Sequence, residues 1–197
     1  TWRMAATRLC RDMDAAAVHA HKTPLNFVDG LWEVLQPLLA GGRVVLMPAD
    51  PWRDVDGLIA RLADGGAGRI ALVPSQMRLL LDAVPDAGRR LPQLRYWILG
   101  GEALAPGLAR RLLKAMPGIR LFNTYGATEF WDAVWHEVTG LMPDDETPDD
   151  GASDGTSDGD GDGRLPIGRP IAGVRVLVLD AAMMPVPPGI AGELHVG

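Results

Sequence analysis

The stretch YWILGGEAL, residues 96–104, decides the fold, because a short apolar run passes directly into a turn that contains two glycines. Four consecutive apolar residues, Tyr96 to Leu99, are typical of a strand that is buried in a sheet. The segment after the turn, from Pro106 to Met116, has the apolar spacing of an amphipathic helix. A buried strand followed by a helix is the repeating unit of a parallel sheet with crossover helices.

The same alternation extends in both directions from this unit. Further buried strands are predicted at residues 44–47, 70–73 and 119–122. The other predicted helices are Trp2 to Met13, Gly30 to Leu39 after a strand at Phe27, residues 55–62 with Asp50 as N-cap and Pro51 as first residue, and Gln76 to Val84 with Ser75 as cap. We therefore expect an α/β fold with a largely parallel sheet flanked by helices and a few C-terminal strands.

The composition changes at residues 139–164, where Asp, Gly, Ser, Thr and Pro replace nearly all apolar residues. Such a segment repels itself and cannot offset the entropy lost on ordering, so we predict a disordered acidic insertion. The alternating carboxylates of Asp158 to Asp162 would suit calcium, but no Glu follows at the spacing that closes an EF-hand loop. The insertion would separate a lobe of residues 1–138 from completing strands at residues 165–197.

Composition and charge exclude several classes of function. A chain of 197 residues that is 47% apolar can bury a substantial core. The net charge of -6, without a basic stripe, argues against a nucleic-acid partner. The one cysteine, Cys10, suits a reducing cytoplasm. No apolar run approaches the ~20 residues of a membrane span, so we expect a cytoplasmic protein without a membrane partner.

A second turn carries candidate chemistry. The segment NTYGATE, residues 123–129, directly follows the predicted strand at residues 119–122. It offers the aromatic face of Tyr125, the hydroxyl of Thr128 and the carboxylate of Glu129, which is a hard oxygen ligand for Mg²⁺. These are the groups that a nucleotide site requires. The turn alone does not decide this, because any strand exit can carry Thr and Glu for solubility.

Seven short motifs extend over nearly the whole chain. They are KTPLNF at 22–27, WE at 32–33, PLLAGG at 37–42, ILGGEAL at 98–104, NTYGATE at 123–129, LPIGRP at 165–170 and GELHVG at 192–197. In this order and spacing they resemble the adenylation domains of nonribosomal peptide synthetases, within the superfamily of acyl-adenylate-forming enzymes. The resemblance covers the central part of the large N-terminal domain of such enzymes.

The resemblance implies a reaction in which a substrate carboxylate attacks the α-phosphate of ATP, giving an acyl-adenylate and pyrophosphate, before loading onto a carrier protein. The enzyme would align two anions and neutralise charge in the transition state. By family likeness Tyr125 would stack on adenine opposite the backbone of residues 101–103, and Asn123 would meet the exocyclic amine. Thr128 would contact the α-phosphate, and Glu129 would hold Mg²⁺. The implied nucleotide-binding residues are Gly101, Glu102, Ala103, Asn123, Tyr125, Gly126 and Thr128, with Thr128 and Glu129 as catalytic residues.

Two of these residues have a plain structural alternative. Tyr125 can be a strand-end aromatic that covers the core, and Glu102 can be a solvated loop acid. Each alternative is the simpler explanation for one residue alone. The joint pattern of motifs favours the nucleotide site.

The substrate is predicted from the residues that follow Phe27. Relatives that activate α-amino acids carry an Asp directly after this Phe, whereas here Val28 takes that place and the acid follows as Asp29. A buried ammonium without a counter-charge costs several kcal/mol, so Val28 argues against an ordinary α-amino acid. An acid displaced by one residue suits an ammonium displaced by one carbon, which predicts a β-amino acid. Asp29 can instead be the N-cap of the following helix.

The rest of the substrate pocket follows from the motif positions. The residues that would line it are Val28, Asp29, Trp32, Ala71, Ile98, Gly100, Thr124, Asp132 and Ala133. A second acid at Asp132 would favour a substrate with another polar or basic group. An aryl or keto acid, which has no ammonium, would also tolerate Val28, and in that case Asp29 should point away from the cavity.

Some parts of the family pattern have no counterpart in the sequence. No Ser/Thr/Gly-rich phosphate loop with a Lys precedes the quoted motifs, and the sequence reaches only the Gly-Glu-Leu motif of residues 192–194. We therefore expect an excised or truncated central lobe that is inactive alone, although its full-length parent would be an ATP-dependent ligase. A non-catalytic binding lobe remains the alternative of a different class.

Overall fold

The structure is a computed structural model that describes residues 18–139 and 165–197. Its main feature is a seven-stranded sheet with the order β2-β1-β3-β4-β5-β6-β7. The strands of this sheet are β1 (Val18–His21), β2 (Arg43–Leu46), β3 (Arg69–Leu72), β4 (Tyr96–Leu99), β5 (Arg120–Tyr125), β6 (Val134–Glu137) and β7 (Arg169–Pro170). A separate antiparallel pair consists of β8 (Val176–Leu179) and β9 (Glu193–Val196).

The connections between the parallel strands are helical. They are α1 (Val28–Leu39), a 3₁₀ turn (Pro51–Arg53), α2 (Val55–Asp64), α3 (Pro74–Ala83), α4 (Ala87–Arg90) and α5 (Pro106–Ala115). Strands β1 to β5 pair in parallel, and β6 and β7 add antiparallel strands at one edge. The predicted α/β fold, with a largely parallel sheet and a few C-terminal strands, is confirmed.

Strand β4 explains why its sequence is apolar without alternation. Successive strand residues point to opposite faces of a sheet. Trp97 and Leu99 lie in the larger core, which α2, α3 and α5 cover, while Tyr96 and Ile98 pack in a smaller cluster with Trp32 of α1. Because both faces of β4 are buried, both sets of side chains must be apolar.

Several predicted boundaries and caps were wrong in detail. Asp50 precedes a 3₁₀ turn and makes no side-chain capping bond, whereas Asp54 accepts a hydrogen bond of 2.8 Å from the amide of Gly57 and caps α2. Helix α3 begins at Pro74, so Ser75 lies inside its first turn and does not cap it. Phe27 is the N-cap residue of α1 and is not part of a strand. Asp54 directly precedes α2, whereas Asp50 precedes the 3₁₀ turn, so Asp54 is the acid in position to cap the helix.

Two predictions fall outside the described residues. The helix predicted at residues 2–13 lies entirely there, and so does the acidic insertion except for Thr139. Both therefore stay predictions, as do the domain limits that depend on them. Within residues 18–139 and 165–197, no helix has the length and apolar character required to cross a membrane.

Candidate functional site

The two candidate turns lie side by side at one edge of the sheet. Strands β4 and β5 are parallel neighbours in which Leu99 is opposite Asn123, so the residues that follow each strand meet at the carboxyl edge. This edge of an open α/β sheet is the usual place for a ligand. A cavity of about 510 Å³ opens there. The arrangement on which the nucleotide prediction depended, two turns that share one cleft, is present.

The cavity collects most of the predicted substrate residues and some of the predicted nucleotide residues. From the two sets, those that line it are Val28, Asp29, Trp32, Ala71, Ile98, Gly100, Gly101, Thr124, Gly126, Thr128 and Asp132. They come from four separate segments of the chain, and α1 brings the first three to the ends of the strands. The cavity wall therefore depends on the tertiary fold.

Gly100 and Thr124 form the floor between the two turns. A Cβ atom at Gly100 would lie 2.5 Å from the Thr124 hydroxyl oxygen, which is closer than real contacts allow. The Thr124 hydroxyl donates a hydrogen bond of 3.2 Å to the Leu99 carbonyl. The next residue, Gly101, has φ of +78°, a conformation that glycine adopts without cost. This pair of glycines leaves the backbone bare toward the cavity.

The turn after β5 is equally tight. A Cβ atom at Gly126 would lie 2.3 Å from the backbone nitrogen of Asp132, so only glycine fits there. Between them, Trp131 has φ of +39°, which is uncommon for a bulky residue and costs of order 1 kcal/mol. Strain of this kind persists where the surrounding structure fixes the residue, and here it places the Trp131 side chain beside α1.

Asp29 is joined to this turn and is not a helix cap. The indole Nε1 of Trp131 donates a hydrogen bond of 3.1 Å to Asp29 Oδ1. The N-cap of α1 is Phe27, so the capping interpretation of Asp29 was wrong. Asp29 lies in the first helical turn, where the helix dipole stabilises a negative charge. Its side chain lines the cavity, which is the orientation that substrate recognition requires.

Asp132 is the second acid in the cavity wall. Its pKa is raised to about 7, first because burial disfavours the charged form and second because the carboxylate of Asp29 repels it. A hydrogen bond with Thr124 acts in the opposite direction. At neutral pH the carboxyl group is therefore present in both protonation states.

The raised pKa of Asp132 predicts a pH-dependent stability. The folded state keeps the proton to higher pH than the unfolded state, so stability should be full below about pH 4 and fall until the pH passes about 7. Asp132→Asn should remove this dependence and raise the free energy of unfolding at pH 8 by about 1–3 kcal/mol. Urea unfolding at pH 5 and pH 8 measures the effect. An unchanged pH dependence in the variant would contradict it.

Several predicted nucleotide residues lie outside the cavity wall. Glu102 accepts hydrogen bonds of 2.9 Å from the Ser75 amide and 2.8 Å from its hydroxyl, so it joins the β4 turn to the start of α3. Asn123 is buried, and its amide donates a hydrogen bond of 3.1 Å to the Pro166 carbonyl. Tyr125 is 39% exposed, with its ring beside Phe130.

The remaining three predicted residues also lie outside the cavity lining. Ala103 is exposed in the turn after β4. Glu129 is exposed next to Thr128, which does line the cavity. Ala133 is fully buried in a small apolar cluster with Val134 and Val174, so it supports the wall from behind. Both residues precede β6, and only Asp132 lines the cavity.

A buried ion pair between Lys22 and Glu33 of α1 was not predicted as part of the site. Glu33 is fully buried and accepts hydrogen bonds of 2.9 Å from the Lys22 amide and 2.8 Å from both the Thr23 amide and hydroxyl. Lys22 Nζ lies 3.8 Å from Glu33 Oε1. Burial lowers the pKa of Lys22, and the carboxylate of Glu33 opposes that shift. Both residues stand in quoted motifs, so the motifs contained this signal.

The donor set for a metal ion is small. Among residues 18–139 and 165–197, no group of three or more His, Cys, Asp or Glu side chains could hold an ion by itself. Mg²⁺ at phosphate sites is usually held by one or two carboxylates together with phosphate oxygens and water. The exposed carboxylate of Glu129, beside a cavity residue, fits that limited requirement.

Known proteins resemble this chain over most of its length. The profile of the AMP-binding enzyme family matches residues 1–197. Phosphinothricin tripeptide synthetase PhsB of Streptomyces viridochromogenes is 38% identical over 178 residues, which are 89% of this chain and 13% of that protein. Enterobactin synthase component F of Escherichia coli is 31% identical over 90% of this chain and 13% of its own length. The chain therefore spans a small part of these relatives.

Solved structures agree in fold. CmiS6 superposes with a TM-score of 0.74 at 30% identity, covering 91% of this chain and 39% of that one. PA1221, an NRPS protein with adenylation and PCP domains, superposes with a TM-score of 0.72 at 30% identity, covering 91% and 32%. The chain thus belongs to the AMP-binding enzyme family, as a fragment of an adenylation domain of the nonribosomal peptide synthetase type.

Proposed function

We propose that this chain contributes the acid-selecting and nucleotide-binding face of an ATP-dependent adenylating ligase. The observation that carries the proposal is the shared cavity, where the glycine turn after β4 and the polar turn after β5 meet the acids of α1 and Asp132. One wall offers bare backbone and a hydroxyl for a phosphate, and the other offers carboxylates for a cationic group. A site that holds a phosphate beside a carboxylic acid can form an acyl-adenylate.

The nucleotide would lie along the glycine side of the cavity. Gly100 and Gly101 leave room for a ligand to approach the backbone closely. The exposed hydroxyl of Thr128 is available to the α-phosphate, and Tyr125 is exposed enough to stack on adenine. Mg²⁺ would neutralise charge on the phosphate oxygens, with Glu129 as its protein ligand. Catalysis would rest on holding the two anions in line for attack at phosphorus.

Three predicted residues would act indirectly, by holding in place the two turns that contact the nucleotide. Glu102 fixes the β4 turn through Ser75, and Asn123 fixes the end of β5 through Pro166. Their present hydrogen bonds favour positioning roles, in which the backbone of residues 101–103 forms one face of the adenine site. Gly126 would keep the opposite turn close to Asp132.

We further propose that the substrate acid is a β-amino acid held by Asp29. Asp29 lines the cavity and uses one carboxylate oxygen to accept from Trp131. Among the described residues its other oxygen has no hydrogen-bond partner, so it is available to an ammonium. Val28 offers no charge at the position expected to serve an α-ammonium. The inward orientation of Asp29 weighs against an aryl or keto acid.

The product would be passed to a carrier protein in the full-length protein. PA1221 contains adenylation and PCP domains in one chain, which supports this partner class. The activity of the complete protein, its substrate and its carrier are proposals, because the chain covers 13% of PhsB.

Pyrophosphate exchange tests the proposed function directly. With a full-length protein that carries this chain, β-alanine and larger β-amino acids should drive ATP–pyrophosphate exchange at least about 10-fold faster than their α-isomers, since an unpaired buried ammonium is costly. Benzoate and a keto acid serve as the substrates without an amino group. If none of the tested carboxylic acids drove exchange, the result would support the non-catalytic lobe. If benzoate drove exchange and the amino acids did not, the proposed role of Asp29 would be excluded.

A further inference from the structure

Some acids at the cavity have a cation partner within the protein, and others do not. Lys22 is 3.8 Å from Glu33, and those two buried groups offset each other. Asp50, which also lines the cavity, lies 3.8 Å from Arg53. Each of these acids already has its own cation within the protein. Neither needs a ligand for charge balance.

Asp29 and Asp132 are the two acids of the cavity wall that have no such cation partner. In residues 18–139 and 165–197, neither carboxylate has a cation within 4.0 Å, the limit for an ion pair. Lys22 attracts Asp29 at longer range, but its charge is already balanced. Both line the same cavity, and the carboxylate of Asp29 disfavours the charged form of Asp132.

Hydrogen bonds within the protein do not satisfy these two acids. Trp131 donates a hydrogen bond to Oδ1 of Asp29, and among the described residues Oδ2 accepts none. The single hydroxyl proton of Thr124 faces two acceptors, the Leu99 carbonyl and the Asp132 carboxyl group. Asp132 therefore keeps acceptor capacity toward the cavity, where a basic group of a ligand could donate to it.

We propose that the substrate carries two basic groups, one paired with Asp29 and the other with Asp132, so that the site selects a diamino carboxylic acid. The proposal rests on the proposed function and deepens it. A single ammonium paired with Asp29 would leave Asp132 without a basic partner. Two ammonium groups give each acid a hydrogen-bond donor, and the one beside Asp132 favours the charged form of its carboxyl group.

Matched substrate pairs test the proposal in a full-length protein that carries this chain. 2,3-Diaminopropionate differs from β-alanine, and 3,6-diaminohexanoate from 3-aminohexanoate, only by one added amino group. In pyrophosphate exchange, at least one diamino acid should exceed its monoamino partner by about 10- to 100-fold in kcat/KM, the range for a hydrogen bond to a charged group. The two pairs place the amino groups at different separations, on adjacent carbons in one and three carbons apart in the other.

A variant assigns the preference to one residue. Asp132→Asn keeps the shape and removes the charge, so it should reduce the ratio of diamino to monoamino kcat/KM to about 1–3. Asp82→Asn removes an exposed acid that Arg111 already pairs at 2.6 Å, and it should leave the ratio unchanged. The KM for ATP shows whether the variant site is still assembled.

The outcomes separate this inference from the proposed function. Equal kcat/KM values within both pairs, or a preference that survives in Asp132→Asn, would overturn the diamino proposal while the β-amino acid activity stands. If no carboxylic acid drove exchange, the proposed function would be overturned, and the diamino proposal with it.

Discussion

Asp29→Asn is expected to lower kcat/KM for a β-amino acid by about 10- to 100-fold in a full-length protein that carries this chain. The amide keeps the size of the side chain and can still accept from Trp131, so the change removes mainly the negative charge. Asp29 is exposed at the cavity wall, so the expected loss is that of a hydrogen bond to a charged group, about 1.5–3 kcal/mol, and not that of a fully buried ion pair. The KM for ATP should change little.

Two controls separate charge from geometry. Trp131→Phe removes the hydrogen bond to Asp29 Oδ1 and part of the ring that packs against Trp32, while the charge of Asp29 stays, and it should cost about 3- to 10-fold. Asp82→Asn, a surface acid on the far end of α3, should have no effect. If Asp29→Asn retained activity within threefold of the parent, Asp29 would not hold the substrate ammonium.

Topology could be predicted from the sequence because the buried parallel strands are nearly uniform in character. The YWIL run became β4 with the expected limits, and its apolar residues are divided between two cores. Once the strands are parallel, the residues after β4 and β5 must meet at one edge. The family resemblance had assigned Gly100, Gly101, Thr124 and Thr128 to one site, and all four line the cavity.

Long-range contacts were beyond the sequence. Asp29 and Trp131 are 102 residues apart, and no local pattern indicates that they share a hydrogen bond. From the sequence, Glu102 is either a nucleotide-site residue or a solvated acid. In the structure its carboxylate accepts hydrogen bonds from the amide and hydroxyl of Ser75 in α3. Ala133 was assigned to the pocket from its motif position, whereas the structure buries it in the apolar cluster with Val134 and Val174.

The largest effect on stability is expected from Glu33→Ala, at about 3–5 kcal/mol, because the change leaves a buried Lys22 ammonium without its carboxylate. It also removes the acceptor for the amides of Lys22 and Thr23 and for the Thr23 hydroxyl. Urea unfolding followed by tryptophan fluorescence measures it, since Trp32 neighbours Glu33 on α1.

Glu137→Ala provides the matched control for this prediction. Glu137 accepts two hydrogen bonds from Arg120, at 2.7 and 2.9 Å, but its side chain is 38% exposed. Solvent screens an exposed pair, so its loss should cost less than about 1 kcal/mol. Glu33→Gln should fall between the two, because the amide keeps an acceptor for the backbone amides but no charge for Lys22. Equal losses for Glu33→Ala and Glu137→Ala would mean that burial of the Lys22 pair adds nothing to the stability of the lobe.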